Sequence, residues 1–135
     1  MKGIYVLVIK VERNIDIDVG ALGTLNFRGG LYAYVGSAQI NLGARLNRHM
    51  REGKHKFWHI DYLLGESASR IVKTFVTRGN KTYECVTARR MAEEGNGVDG
   101  FGCSDCDCQS HLIQIGDYRF LLEFMKEFER ARMVK

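Results

Sequence analysis

The chain contains no proline and one tryptophan in 135 residues. The missing proline carries no functional signature. A long hydrophobic run is missing too. The longest early one, Ile4 to Ile9, is closed by Lys10, which is too short for a membrane span or a signal-peptide core. A cytoplasmic protein with no membrane partner is expected. Cysteine is sparse, and three of the four residues fall in one stretch without a second separate pair. A length of 135 residues leads to the expectation of one domain with one core and no separate recognition domain, so a homo-oligomer or a protein partner is expected to add specificity. What remains is an ordinary composition for a globule, 45% apolar and 27% charged.

The most organised stretch is Gly29 to Met50. Leu31, Ala33 and Val35 alternate with Tyr32 and Tyr34 and stop at Gly36, the pattern of a strand. Leu42, Leu46 and Met50 then recur every four residues, one face of a helix, with Asn41 as its N-cap and Gly53 as its C′ residue. At about 100° per residue, Arg45 lies about 60° and His49 about 20° to one side of Leu42. Both therefore face the end of the strand. Arg45, Arg48, Arg51, Lys54 and Lys56 crowd this helix and its exit, joined by His49, His55 and His59. The net charge is only +4, but this local concentration suits a phosphate backbone. The bland alternative is a solvated helix face. Arg48, Arg51, Lys54, His55, Lys56 and His59 are the nucleic-acid-binding candidates.

Lys2 to Val11 is apolar on both faces, as in a central strand. Asn14 to Val19 and Thr24 to Phe27, joined through Gly20 to Gly23, read as a two-stranded ribbon within an insert at about residues 12–30. His55 and His59 share a helical face at a spacing of four, without a third metal ligand nearby in sequence. Asp61 either orients a histidine or caps a helix. Arg70 to Arg78 reads as a third strand. Thr82 caps a helix reaching Glu94, with Cys85, Ala88 and Ala92 buried, and Glu84 in its first turn suits the positive helix end. A Gly-rich, Cys-rich loop at about residues 95–111 carries Cys103, Cys106, Cys108 and His111. Their spacing is that of a possible zinc site; reduced thiols or a disulfide are the alternatives. Leu112 to Ile115 reads as a short edge strand. Tyr118 to Met133 reads as an amphipathic helix with Leu121, Phe124, Met125 and Phe128 on its packed side.

Gly3-Ile4-Tyr5 and Tyr34-Val35-Gly36 resemble the two halves of the signature that names the GIY-YIG nuclease superfamily. Arg45 stands where that family keeps an arginine in the following helix. The run from Trp58 to Leu64 is similar to a small branch found as stand-alone proteins and fused to a DNA-repair glycosylase. The resemblance covers most of the chain and departs at the ribbon, because the two signature halves are usually close together. The order strand, ribbon, strand, helix, strand, helix, helix gives an α/β domain with a small mixed or antiparallel sheet flanked by helices. The resemblance implies a compact three-stranded core sheet, extended here.

It also implies a metal-dependent endonuclease that hydrolyses phosphodiesters in nucleic acid, with DNA favoured. On this reading Glu84 holds magnesium or manganese, and Arg45 clamps the phosphate. Tyr5 or Tyr34 accepts the proton of water, and His49 orients or relays. Family members often place an asparagine after the metal-binding glutamate. Asn96 is the nearest here, with Ser110 or His111 as substitutes. The alternative function is a module that binds nucleic acid without turnover and uses the Cys loop as a zinc or thiol clip.

Overall fold

The doubly apolar stretch at the start forms β1 (Gly3–Val11), buried on both faces. The computed structural model of the protein describes residues 2–51, 56, 58–103 and 108–128. After β1 come the ribbon strands β2 (Ile15–Asp18) and β3 (Thr24–Phe27), then β4 (Gly30–Ala38) and helix α1 (Leu42–Met50). A short helix α2 (His59–Leu64) leads to β5 (Ser69–Thr77) and α3 (Thr82–Ala92). The described chain closes with β6 (Gly95–Gly97), β7 (Leu112–Ile115), a 3-10 turn over Arg119–Glu123 and β8 (Lys126–Glu127). The sheet order is β6-β7-β4-β1-β5-β8 and every pairing is antiparallel. The ribbon β2-β3 stands apart as a second, two-stranded sheet, as its alternation predicts.

Period-two alternation divides the core in two. Tyr5, Leu7, Ile9 and Val11 face one side with Tyr32 and Tyr34. There they meet Leu42 and Leu46 of α1, Ile60 and Leu63 of α2, and Phe27 from the ribbon. Ile4, Val6, Val8, Ala33 and Val35 face the other side against Ala88 and Met91 of α3. Burying each such large apolar side chain stabilises by about 1.5–3 kcal/mol. Asn41 caps α1, its side-chain oxygen accepting from the Ala44 N–H at 3.0 Å. This sets the helical phase that buries Leu42, Leu46 and His49. Gly53 lies outside the described residues.

Several local expectations need correction. Gly95 to Gly97 forms a strand, so β7 is internal and not an edge. A Cβ at Gly95 would overlap the Gln114 carbonyl oxygen, so glycine is what lets the two strands approach. α3 begins at Thr82, which is its first residue and not its cap; Lys81 holds the cap position, and the Asn80 side chain accepts from the Thr82 N–H at 3.0 Å. Its buried stripe is Thr87, Ala88 and Met91, while Cys85 is half-buried and Ala92 exposed. The helix expected over residues 118–133 is a 3-10 turn and a strand within the described residues. Sheet pairing outcompetes helical periodicity there. β8 pairs with β5, and the Phe128 N–H donates to the Thr74 carbonyl at 2.7 Å. Among the described residues no helix is long and apolar enough to cross a membrane.

Candidate active site

In the β1–β4 register Tyr5 lies directly opposite Gly36. A Cβ on Gly36 would collide with the Tyr5 hydroxyl and come within 2.9 Å of its ring carbon Cε2. Glycine at this point therefore lets the Tyr5 ring lie across β4 toward α1. The Tyr5 oxygen reaches the His49 Nε2 at 2.7 Å in a buried hydrogen bond. The Tyr34 ring stands 6.5 Å from both the Tyr5 and His49 rings. The phase of α1 sends Arg45 and Arg48 to the face of Trp58, with guanidinium carbons 4.5 and 4.3 Å from its ring centre. Arg48 also grips the buried Asp61 carboxylate with two hydrogen bonds of 3.0 Å. Asp61 accepts from the Trp58 N–H at 2.9 Å as well. It thus caps α2 and fixes the tryptophan.

α1 and α3 pack on opposite faces of the sheet, yet side chains from both meet where β4 ends. Arg45 Nη1 donates to the Ser37 carbonyl at 2.9 Å. The Ser37 hydroxyl donates to Glu84 Oε1 at 3.0 Å. The other Glu84 oxygen, Oε2, stands 3.0 Å from His111 Nδ1. Nearby, the Gly102 N–H donates to His59 Nδ1 at 2.9 Å. Gly102 has φ +76°, a left-handed conformation that glycine adopts without strain. Tyr5, Tyr34, Ser37, Arg45, Lys81 and Glu84 share a cleft of about 820 Å³.

Burial dominates the electrostatics. It drives the Tyr5 hydroxyl well above the ordinary tyrosine range, against the lowering effect of the Arg45 charge and its hydrogen bond. Tyr34 is raised for the same first reason, with the negative charges of Glu84 and Asp61 adding to it. Both phenols are therefore protonated at neutral pH. Burial also lowers the pKa of His59, so its imidazole is held neutral and can accept from Gly102.

The family described as Domain of unknown function DUF123 matches residues 4–134. The chain belongs to this family. No curated protein matches the chain, and no solved structure does.

Of the residues singled out from sequence in this DUF123 domain, Tyr5, Tyr34, Arg45 and Glu84 line the cleft. His49 is buried behind it, in contact with Tyr5. Arg48 and His59 also reach the cleft. Arg48 is committed to Asp61, and His59 to the Gly102 loop. Asp61 holds Arg48 and accepts from the Trp58 N–H at the start of α2. Arg51 and Lys56 are exposed, with Lys56 Nζ 5.7 Å from the Tyr62 ring centre. Lys54, His55 and Cys106 lie outside the described residues.

Two of the expected zinc ligands, Cys108 and His111, join a metal-ligating group among the described residues. The Cys103 thiol donates to the Phe101 carbonyl at 3.4 Å. Cys108 and His111 lie with Cys85 of α3, one ligand atom from each within 4.8 Å of the others. His111 takes the corner beside Glu84. Asn96 lies in β6 beside a second cleft, and the Ser110 hydroxyl is occupied with the backbone of Leu112. Ser37 was not singled out at all. Its position next to Gly36 at the end of a tyrosine-rich strand was the available signal.

Proposed function

We propose that this protein is a divalent-metal-dependent endonuclease of the GIY-YIG type, hydrolysing phosphodiester bonds in nucleic acid, with DNA the favoured substrate. The observation that supports this most is the meeting of Arg45 and Glu84 at Ser37, beside the two tyrosines. A cation, a carboxylate and a proton acceptor within one cleft are what in-line attack on a phosphodiester requires. Glu84 suits a hard divalent ion. Its side chain is 12% exposed, and each carboxylate oxygen keeps acceptor capacity after meeting Ser37 or His111. Magnesium takes one or two carboxylates and otherwise keeps its waters, so one glutamate is enough. When bound, such an ion stabilises charge on the phosphate and the leaving oxygen.

The chain's own groups do the rest. A guanidinium has five N–H donors. With one spent on Ser37, Arg45 still has donors for a bidentate grip on phosphate. Stacking on Trp58 holds its plane. Tyr5 is protonated, so it acts as a base only by passing its own proton on as it receives one from water. His49 Nε2, at 2.7 Å, is the acceptor for that transfer. Lys81, at the start of α3, adds positive charge for the flanking backbone.

The burial of Tyr5, 1% exposed, favours one other reading, a module that binds nucleic acid without cutting it. Incubation of the purified protein with single-stranded, double-stranded and branched DNA and RNA, in magnesium or manganese, separates the two. Cleavage supports the nuclease. Salt-dependent binding without cleavage of any substrate establishes the module.

A further inference from the structure

Behind Glu84, on the side away from the cleft, three metal-ligating side chains converge from two parts of the chain. Cys85 lies on α3, while Cys108 and His111 lead into β7. One ligand atom from each falls within 4.8 Å of the others. We propose that Cys85, Cys108 and His111 bind a thiophilic divalent transition metal, zinc by the chemistry of its ligands, in a site separate from that of the hard ion at Glu84.

The donor set decides the metal. Two thiolates and an imidazole are soft and borderline ligands, suited to zinc and poorly suited to magnesium. Two thiolates also neutralise a dication. Ligand atoms around a tetrahedral zinc lie roughly 3.3–3.8 Å apart, so closing the cluster takes side-chain movements of about an ångström. The scaffold is already anchored. The His111 N–H donates to the Phe101 carbonyl at 2.8 Å, and its own carbonyl accepts from the Val35 N–H at 3.0 Å. Cys108 lines a second cleft of about 380 Å³, which gives an ion a way in. The three ligands found among the described residues fill three of zinc's four tetrahedral positions.

The site is tied to Glu84 through His111, whose Nδ1 lies 3.0 Å from Oε2. A ligating histidine commonly gives its second ring N–H to a carboxylate, and Glu84 is positioned for that role. The metal would thereby fix the orientation of Glu84 from behind.

Metal-stripped protein, kept reduced, is titrated with cobalt(II) and then zinc. The expected result is one equivalent of cobalt with thiolate-to-metal charge transfer and intense tetrahedral visible bands, both abolished by zinc. Cys85→Ser and Cys108→Ser should each weaken binding by on the order of a hundredfold, and Glu84→Gln by about tenfold or more. Cys103→Ser should change nothing. In case a variant fails to fold, zinc protection of Cys85 and Cys108 from alkylation is mapped by mass spectrometry in the wild-type chain. Absence of the charge-transfer band, equal alkylation with and without zinc, or a Cys85–Cys108 disulfide that persists under reduction would each overturn the site. Cleavage is not among the readouts. A protein that binds zinc here and cuts nothing therefore upholds this site while overturning the nuclease.

Discussion

The Tyr5 hydroxyl and the His49 Nε2 form a buried hydrogen bond of 2.7 Å between the first strand and the helix that carries Arg45. Tyr5→Phe keeps the ring in place and removes this bond. It leaves a buried imidazole nitrogen without its partner, which costs about 1–3 kcal/mol. It also removes the proposed proton path, worth roughly a hundredfold or more in rate. Thermal unfolding and single-turnover cleavage of the same preparation should show a modest loss of stability beside a large loss of rate.

Gly36→Ala attacks the same bond from the sheet. The added methyl would collide with the Tyr5 hydroxyl, so the ring must move. Overpacking of this kind costs about 1–3 kcal/mol. A lower melting temperature is expected together with slower cleavage. Unchanged stability would mean that the tyrosine relaxes freely.

The Arg48–Asp61 pair is fixed at its acidic end, where the side chain is wholly buried. Asp61→Ala strips Arg48 of a bidentate partner and the Trp58 N–H of its acceptor. Breaking a buried pair from one side costs about 3 kcal/mol or more. Trp58 supports Arg45 as well, so affinity for nucleic acid should fall in step. Chemical denaturation and a binding titration check the two effects.

His59 sets a pH dependence of stability. Burial lowers its folded pKa below the ordinary histidine value. As pH falls through about 6.5, the unfolded chain takes up a proton that the folded chain resists. Stability from this group is present above that pH and is lost below it, down to the folded pKa. Protonation at Nδ1 would also displace the Gly102 N–H. Between about pH 7.5 and 5.5 the wild-type melting temperature should fall more than that of His59→Gln.

Much of this arrangement was legible in the sequence because it is local. Alternation revealed β1, β4 and β5, Asn41 marked the start of α1, and helical spacing put Arg45 and His49 on one side. The Ser37 bridge was not legible. It depends on α1 and α3 reaching around the end of one strand from opposite faces, which no local pattern encodes. Cys85 was hidden for a similar reason. It reads as part of a helix stripe, and its companions Cys108 and His111 arrive only through the sheet order. Residues 118–128 have helical periodicity, but Arg119–Glu123 closes as a 3-10 turn and the edge of β5 pairs with Lys126–Glu127.

In the proposed reaction Glu84 holds a divalent ion while Arg45 holds the phosphate. Its most direct test is a manganese titration followed by cleavage on the same samples of wild type, Glu84→Gln and Arg45→Ala. Both variants should fold and lose cleavage by about a hundredfold or more. Ion binding should fail in Glu84→Gln and persist in Arg45→Ala. Cleavage and manganese binding that survive Glu84→Gln at wild-type levels would contradict it.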